Sequence, residues 1–549
     1  MADNLGQDSR ADAVIKRADQ LKGNRSNWES HWEEVAERVW PSYSTLFEAG
    51  NYADASKGEK RTQEQFDSTA SIALTRFASA MESMLTPRNG IWHQLNATNP
   101  DLMKMREVRL WFDEVNRLLF KYRYMPNANF ASQIHEIYMS LGAFGTGSMF
   151  VDDLIVRGRK SGIRYKSMFL GEVFFCTNHQ GIVDTAYRRF PMTVRQMIQQ
   201  FGDAVPKSIA ENADNNPDKN YEVIHCIRPN DEMETNRADF RGMPFRSIYV
   251  SVEGRAVLKE GGYETFPMPV SRHVTTPGEL YGRSPAMQVL PAIKTLNAEK
   301  KTVLKQGQRI VDPVLLAYDD GVLDSFSMAP GALNYGGVNE QGRSLIQTLP
   351  TGSLAIANEM MNDERAVIND AFLVTLFQIL VDTPQMTATE VMERAREKGA
   401  LLAPTMGRQQ SELLGPMIER ELDILSRQGK LPPMPQVLIE AEGEYKIEYD
   451  SPLSRAQKAE SGAGTMRTIQ WAAEIAAQAQ DPSPMDWFNF DEIVPYLADV
   501  NAMPVRFLTS EDDVKQKRQG RQQQAETQQL IDAGPSVAAM MKSGVGAPT

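Results

Sequence analysis

Ser284–Val311 reads SPAMQVLPAIKTLNAEKKTVLKQGQRIV, and this stretch decides the fold. Met287, Leu290, Ile293, Leu296, Val303 and Leu304 form its apolar face at helical spacing, and Lys294, Lys300, Lys301, Lys305 and Arg309 carry its charge. Pro313 stops the helix near Val311. A stretch poor in helix formers follows, with Pro330-Gly331, Gly336-Gly337 and Pro350-Thr351-Gly352, and then a second helix is expected from Leu354 to Leu380. Two long helices thus bracket a Gly/Pro-rich module. Asp382-Thr383-Pro384-Gln385-Met386 then joins the second helix to a third, entered by the capping-box pattern Thr387 to Glu390. That third helix carries Val391, Met392, Ala395 and Leu402, then Leu413, Leu414, Met417, Ile418, Leu422 and Leu425. Gly415-Pro416 should kink it, and Gly429 with Pro432-Pro433 should end it.

Upstream, the first 145 residues read as helices. Trp28, Trp32, Val35 and Val39 form one face, and Ala70, Ala73, Leu74, Phe77, Met81 and Leu85 form a second, capped at Asp67-Ser68. Val108, Trp111, Phe112, Val115, Leu118 and Leu119 form a third, and Phe130, Ile134, Ile137, Tyr138 and Leu141 a fourth. From Gly142 the pattern changes to β-branched and aromatic runs, Ser148–Val156, Ile163–Thr177, Ile182–Phe190, Tyr221–Arg228 and Phe245–Val252, which predict an antiparallel sheet with a surface loop at Asn212–Asn220. Downstream lie an amphipathic stretch at Ile469–Ile475, a Trp487/Phe488/Phe490 cluster and a Gln-rich polar tail.

The chain has 549 residues, too many for one core, and about 150 residues per domain predicts three to four units. Its 71 acidic and 59 basic residues leave a formal charge of −12, which excludes a general nucleic-acid-coating protein and makes any DNA contact local or weak. Cys176 and Cys226 sit in apolar runs and read as buried thiols, not a disulfide framework. Met1–Arg10 is polar, without a signal-peptide core, so the reading expects a chain made and kept in a reducing cytosol. The longest apolar run, Ala371–Val381, is too short to span a membrane. His31, His93, His135, His179, His225 and His273 lack metal-ligand spacing. Gly142-Ala143-Phe144-Gly145-Thr146-Gly147 leads from helix to strand, the reverse of a phosphate loop, and reads as a tight corner. The adjacent carboxylates Asp152-Asp153, Asp319-Asp320 and Asp512-Asp513 point to opposite faces in strands, and no nucleophile motif occurs. The residues therefore name no catalytic group, cofactor or metal site.

Four segments in order carry a resemblance: Asp67–Leu95 (DSTASIALTRFASAMESMLTPRNGIWHQL), Ser140–Asp153 (SLGAFGTGSMFVDD), Tyr281–Lys300 (YGRSPAMQVLPAIKTLNAEK) and Thr387–Ala395 (TATEVMERA). Together, over residues 10 to 510, the chain resembles the portal proteins, or head-to-tail connectors, of short-tailed bacteriophages. The resemblance implies an α+β, mainly helical portal fold that assembles as a ring, usually of twelve, at one capsid vertex of the virion. Double-stranded DNA is packaged and ejected through its channel without sequence preference. It further implies assembly in the bacterial host cytoplasm and, as partners, major capsid and scaffolding proteins, the terminase motor, tail adaptor or nozzle proteins and internal core proteins. No membrane insertion and no enzymatic activity are implied.

On that pattern residues 1–282 are the wing, 283–311 and 354–381 the two stem helices, 312–353 the clip and 382–387 the channel loop. Residues 388–430 are a long kinked wing helix, 431–515 the crown and 516–549 a polar tail. Asp382, Thr383, Pro384, Gln385 and Met386 are then channel-loop residues, although an ordinary helix connection reads equally from their spacing. Lys294, Lys300, Lys301, Lys305 and Arg309 are either a solvated face or the source of positive rings or inter-subunit ion pairs. The rival classes are a packaging nuclease or nucleotide hydrolase, which needs a carboxylate cluster or phosphate loop, and another ring-forming head–tail structural protein, such as a shorter tail adaptor.

Overall fold

A computed structural model describes residues 2–47, 58–63, 65–88, 90–234, 236–237, 239–317, 327, 329–335, 337–350, 354–375, 404–441, 443–449, 452–481, 483–500, 503, 507–509 and 513–525. The chain divides into two units, Met1–Gly90 with Tyr122–Gln428 and Ile91–Lys121 with Gly429–Thr549, fewer than the three or four expected from length.

The chain opens with helices α1 (Ala2–Gly23), α2 (Ser26–Val39) and α3 (Thr69–Leu85), then strand β1 (His93–Ala97), α4 (Arg106–Arg123) and α5 (Phe130–Phe144). All six apolar positions read for α3 are buried, as the amphipathic period requires. The α1 helix went unread because its first half is polar. Among its described side chains, Ala11, Val14 and Ala18 are buried, and they sit on the sheet described next.

The sheet region contains β2 (Thr146–Val156), β3 (Arg159–Ser167), β4 (Val173–Thr177), β5 (Val183–Thr193), α6 (Val194–Phe201), α7 (Lys207–Ala210), β6 (Asn220–Pro229), β7 (Phe245–Ser251), β8 (Ala256–Tyr263) and β9 (Val270–Arg272). The single sheet expected is two antiparallel sheets, one ordered β3-β2-β9 and one β4-β5-β6-β7-β8. The run read as one strand, Ile163–Thr177, is broken by a 3-10 turn at Leu170–Glu172, whose carbonyls accept from the buried Arg25 guanidinium. Alternation sorts the five-stranded sheet: Ile224 and Cys226 face α1, whereas Tyr221 and Val223 face α6 through Met197 and Phe201. Cys226 is buried, but Cys176 is only half-buried, a departure from the expected pair of buried thiols.

Beyond the sheets come α8 (Pro285–Gln288), α9 (Leu290–Val311), β10 (Leu315–Ala317), β11 (Ile346–Thr348), α10 (Leu354–Ala371) and α11 (Gly415–Arg427). Helix α10 is interrupted after Ala371 by a turn with Leu373 at φ +59°, residues 374–375 are helical again, and residues 376–380 of the expected helix lie outside the described residues. The second unit adds α12 (Gln436–Glu440), β12 (Tyr445–Tyr449), α13 (Pro452–Ala479), α14 (Phe490–Val500) and a helix over 513–525, here α15. Strand β12 pairs antiparallel with β1. Asn116 of α4 holds that strand pair, its Oδ1 accepting from the Leu95 N–H at 2.9 Å. Among the described residues no helix is long and apolar enough to cross a membrane.

The α5–β2 corner fixes where everything after it goes. Gly145 caps α5 at φ +75°, the left-handed conformation that glycine adopts without cost. Its backbone crosses that of Gly282 so closely that a Cβ on either glycine would overlap the other's carbonyl oxygen. Gly181 also has positive φ, +80°, but open space around it. Gly145→Ala should therefore cost clearly more stability than Gly181→Ala, which carries only the left-handed strain of about 1–2 kcal/mol. Denaturant melts of the two variants check this; equal losses would mean that the crossing is not tight.

Candidate functional site

The root of the paired helices α9 and α10 is built from backbone and small polar groups. The Gly282 N–H donates to Thr146 Oγ1 at 2.8 Å, the His273 N–H to the Gly145 carbonyl at 2.9 Å, and Ser284 Oγ to the Ala143 carbonyl at 2.8 Å. Ser284 Oγ also accepts from the Met287 N–H at 3.0 Å, so one hydroxyl both caps α8 and ties it to the α5 corner. From there α9 buries Leu290, Ile293, Leu296 and Asn297, and nothing beyond Asn297 on that helix is buried.

Two polar residues fasten the pair to α3. Asn297 Oδ1 accepts from the Phe66 and Asp67 N–H groups at 2.9 and 3.1 Å, while its amide donates to the Ile293 carbonyl at 3.1 Å. Asp67 accepts from the Thr69 N–H at 2.9 Å through Oδ1 and from Arg365 of α10 at 2.7 Å through Oδ2. Burial pushes the Asp67 carboxyl up, but the Thr69 and Arg365 hydrogen bonds outweigh it and hold the group below its ordinary value. The expected cap at Asp67-Ser68 is thus supplied by Asp67, since Ser68 makes no side-chain cap bond.

The helix that returns after the second stem candidate is clamped just as firmly. Residues 404–409 are helical, Gln410–Leu414 widen into a π turn, and α11 follows. Gln409 is buried, bonded to Ser271 and to the Arg272 carbonyl, and Glu412 accepts from Arg272 Nη2 at 2.8 Å. Farther along, Glu421 and Arg123 form a fully buried ion pair that also receives the Tyr165 hydroxyl at 2.7 Å. Neighbouring Arg420 donates to the Val151 carbonyl at 3.2 Å and to Asp423 at 2.6 Å.

A strip of chain between α9 and α10 forms a short antiparallel ribbon of β10 and β11. It leaves Leu316, Leu333, Tyr335, Val338 and Leu349 exposed. The helices that carry it are exposed on apolar positions too: Leu304, Ile310 and Val311 on α9, and Ile356, Met360 and Val367 on α10.

The sequence matches the family model for the bacteriophage head to tail connecting protein over residues 11–508. It is 28% identical to a portal protein of Salmonella phage epsilon15 over 97% of this chain and 94% of that one. It is likewise 28% identical to a probable portal protein of Bordetella phage BPP-1, over 98% of this chain and 96% of the other. The chain belongs to the phage head-to-tail connectors, the portal proteins. Its place is the portal vertex of the virion, where head joins tail and DNA passes, and its role is structural, not enzymatic.

Within this portal chain the five basic residues read from the sequence separate into two sets. At about 100° per residue, Lys294, Lys301, Lys305 and Arg309 fall within roughly 80° of one another on α9. Lys300 lies about 120° round from Lys294, in line with Ile293, Leu304 and Val311. Lys294 is paired with Glu34, and the Lys301 ammonium sits 4.9 Å from the centre of the Phe66 ring. Lys305 and Arg309 are exposed and make no ion pair among the described residues. The candidate loop Asp382, Thr383, Pro384, Gln385 and Met386 lies outside the described residues, as do residues 376–403 around it.

The histidines take packing positions: His225 stacks on Tyr249 at 3.9 Å and donates to or accepts from Ser247, and burial pulls its pKa down to about 3. His135 meets Glu82 at 2.9 Å. Asn297 and Glu421 carry no signal in the sequence, because a polar residue shows no periodicity that announces its burial; Asp67 is legible as a cap, but its bond to Arg365 of α10 is not.

The depressed Asp67 carboxyl has a signed consequence. Its stabilisation is complete above the unfolded pKa near 4 and is lost as pH falls through the lower folded value. Asp67→Asn should lower the melting temperature by several degrees at pH 7, and the gap between variant and parent should narrow as pH falls below about 4. A gap independent of pH would show that the charge on Asp67 does no work.

Proposed function

We propose that this portal chain forms a closed ring, of twelve copies, in which α9 and α10 line and wall the DNA channel. Residues 1–282 serve as wing, 283–311 and 354–381 as stem, 312–353 as clip, 382–387 as channel loop, 388–430 as a long kinked wing helix, 431–515 as crown and 516–549 as a polar tail. The observation that carries this is the projecting helix pair: rooted at Gly145–Gly282 and fastened by Asp67 and Asn297, it leaves Leu304, Val311, Ile356 and Met360 exposed beyond the core. Exposed apolar side chains on both helices of the pair suit an interface, and neighbouring copies of the same pair supply the cover.

In that ring the Lys294, Lys301, Lys305 and Arg309 stripe gives local positive charge inside an acidic particle. Lys300, on the Ile293–Val311 line, is placed to meet a neighbouring copy. The clip residues 312–353 receive the tail adaptor and the terminase motor, and Asp382 to Met386 contact the moving duplex with uncharged, flexible side chains. Capsid and scaffolding proteins dock on the wing, and internal core proteins on the crown.

Negative-stain imaging with mass determination of the full-length protein should show rings with a central hole and a mass near twelve times 61.5 kDa. A monomer or dimer at assembling concentrations would overturn the ring. In such rings, Lys305→Glu with Arg309→Glu should leave the mass unchanged and cut packaged DNA per particle several-fold, measured by nuclease-protected genome; normal packaging would remove the stripe from the channel.

A further inference from the structure

A second concentration of cations lies on α15. Its sequence, DVKQKRQGRQQQA over 513–525, sets Lys515, Lys517, Arg518 and Arg521 against the single carboxylate of Asp513. Every residue of this helix is exposed except Val514, which is half-buried. An amphipathic helix held by packing needs an apolar stripe, and α15 has none. It is tied by exposed ion pairs, a bidentate one from Arg518 to Asp491 of α14 at 2.8 and 2.5 Å and one from Arg106 of α4 to Asp513 at 3.6 Å, and exposed ion pairs contribute little to stability. Lys515, Lys517 and Arg521 make no ion pair among the described residues. Lys517, Arg518 and Arg521 share a sector of roughly 100°, and five glutamines fill the rest of the surface.

We propose that α15 binds the phosphate backbone of duplex DNA without sequence preference, at a site separate from the helix pair α9 and α10. The chemistry of the side chains selects the ligand. A protein partner needs a desolvated apolar or aromatic centre, and protein interfaces are depleted in lysine. Phosphate contacts need none of that: lysine, arginine and glutamine are the side chains that make them. The acidity of the rest of the chain does not prevent the contact, because at physiological salt charges farther than about 8 Å are largely screened and the local excess governs. DNA passes the vertex at which this protein stands, so the ligand is at hand. The inference does not depend on which face of α9 meets DNA.

The test measures binding of the full-length protein to a labelled random-sequence duplex by fluorescence anisotropy across a salt series. Each neutralised phosphate contributes about 0.9 to the log–log salt slope. The triple variant Lys515→Gln, Lys517→Gln, Arg521→Gln keeps good helix formers while removing three charges. Its slope should be shallower by two to three, with affinity at least about tenfold weaker at low salt. Arg157→Gln with Arg159→Gln, which removes two exposed cations on the β2–β3 hairpin, should leave the slope as it is.

An unchanged slope in the triple variant overturns the proposal, as does an equal fall in the hairpin variant, which would mark diffuse attraction. A triple variant that binds DNA normally but changes the mass of the assembly would make α15 a protein contact and also overturn it. Mass determination on the same samples reports on the ring separately. A wild-type protein that fails to form rings yet shows the α15 increment would refute the ring and leave this site standing.

Discussion

The crossing of two backbones at Gly145 and Gly282 is the constraint on which the rest of the main unit depends. It joins the end of α5, the start of β2 and the segment that launches α8 and α9, three parts of the chain that meet with no side chain between them. Around it the hydroxyls of Thr146 and Ser284 and the N–H of His273 all bond to backbone groups, so they hold the main chain on either side of the crossing. A helix pair that projects from a fold is a lever, and its angle is set at its root. Glycine at both positions lets the root be rigid, because contact between main chains leaves nothing to rotate.

A second set of anchors fixes the returning helix. Arg123, Tyr165 and Glu421 come from α4, β3 and α11, and all are buried. A buried ion pair adds little net stability against an apolar replacement, but breaking one partner is costly, and it tolerates only one register. Arg420 beside it, bonded to the Val151 carbonyl, adds a second fixed point on the same turn. The π turn at Gln410–Leu414 sits immediately before these anchors, where the Gly415 N–H reaches the Gln410 carbonyl five residues back. Pro416 explains it: its ring would collide with the carbonyl of Glu412 in a regular helix, and one extra residue in the turn clears the collision. The Gly415-Pro416 step at which the sequence predicts a kink follows directly on this π turn, in which Glu412 holds Arg272.

What the sequence revealed follows the physics of each signal. Helix α3, with six apolar positions at strict spacing, and the α5–β2 corner, with its three glycines, were legible because local pattern and tertiary outcome coincide. Strands β1 and β12 were not, because they are short and pair across some 350 residues, and no local period reports a distant partner. The β8 strand, with Gly261 and Gly262 in it, lacks the β-branched run that marks a strand. At the site, the cations of α9 were visible as charges, but their division was not: the helix angle puts Lys300 apart, and only the fold reveals that Glu34 and Phe66 occupy Lys294 and Lys301.

That division bears on how an acidic conduit handles DNA. A cation already engaged by a carboxylate, as Lys294 is by Glu34, must give up that partner before it can neutralise a phosphate, so its net contribution to holding the duplex is small. Lys301 is engaged as well, its ammonium stationed on the Phe66 ring, which positions it. Among the described residues Lys305 and Arg309 make no ion pair. In the proposed ring this grades the positive charge along the helix, engaged near the root and free toward the clip end. Because each phosphate neutralised adds affinity and steepens its loss with salt, a proposed ring with only two free cations per chain would attract the duplex without fixing it, and the surrounding negative charge would keep the rest of the surface from competing for it.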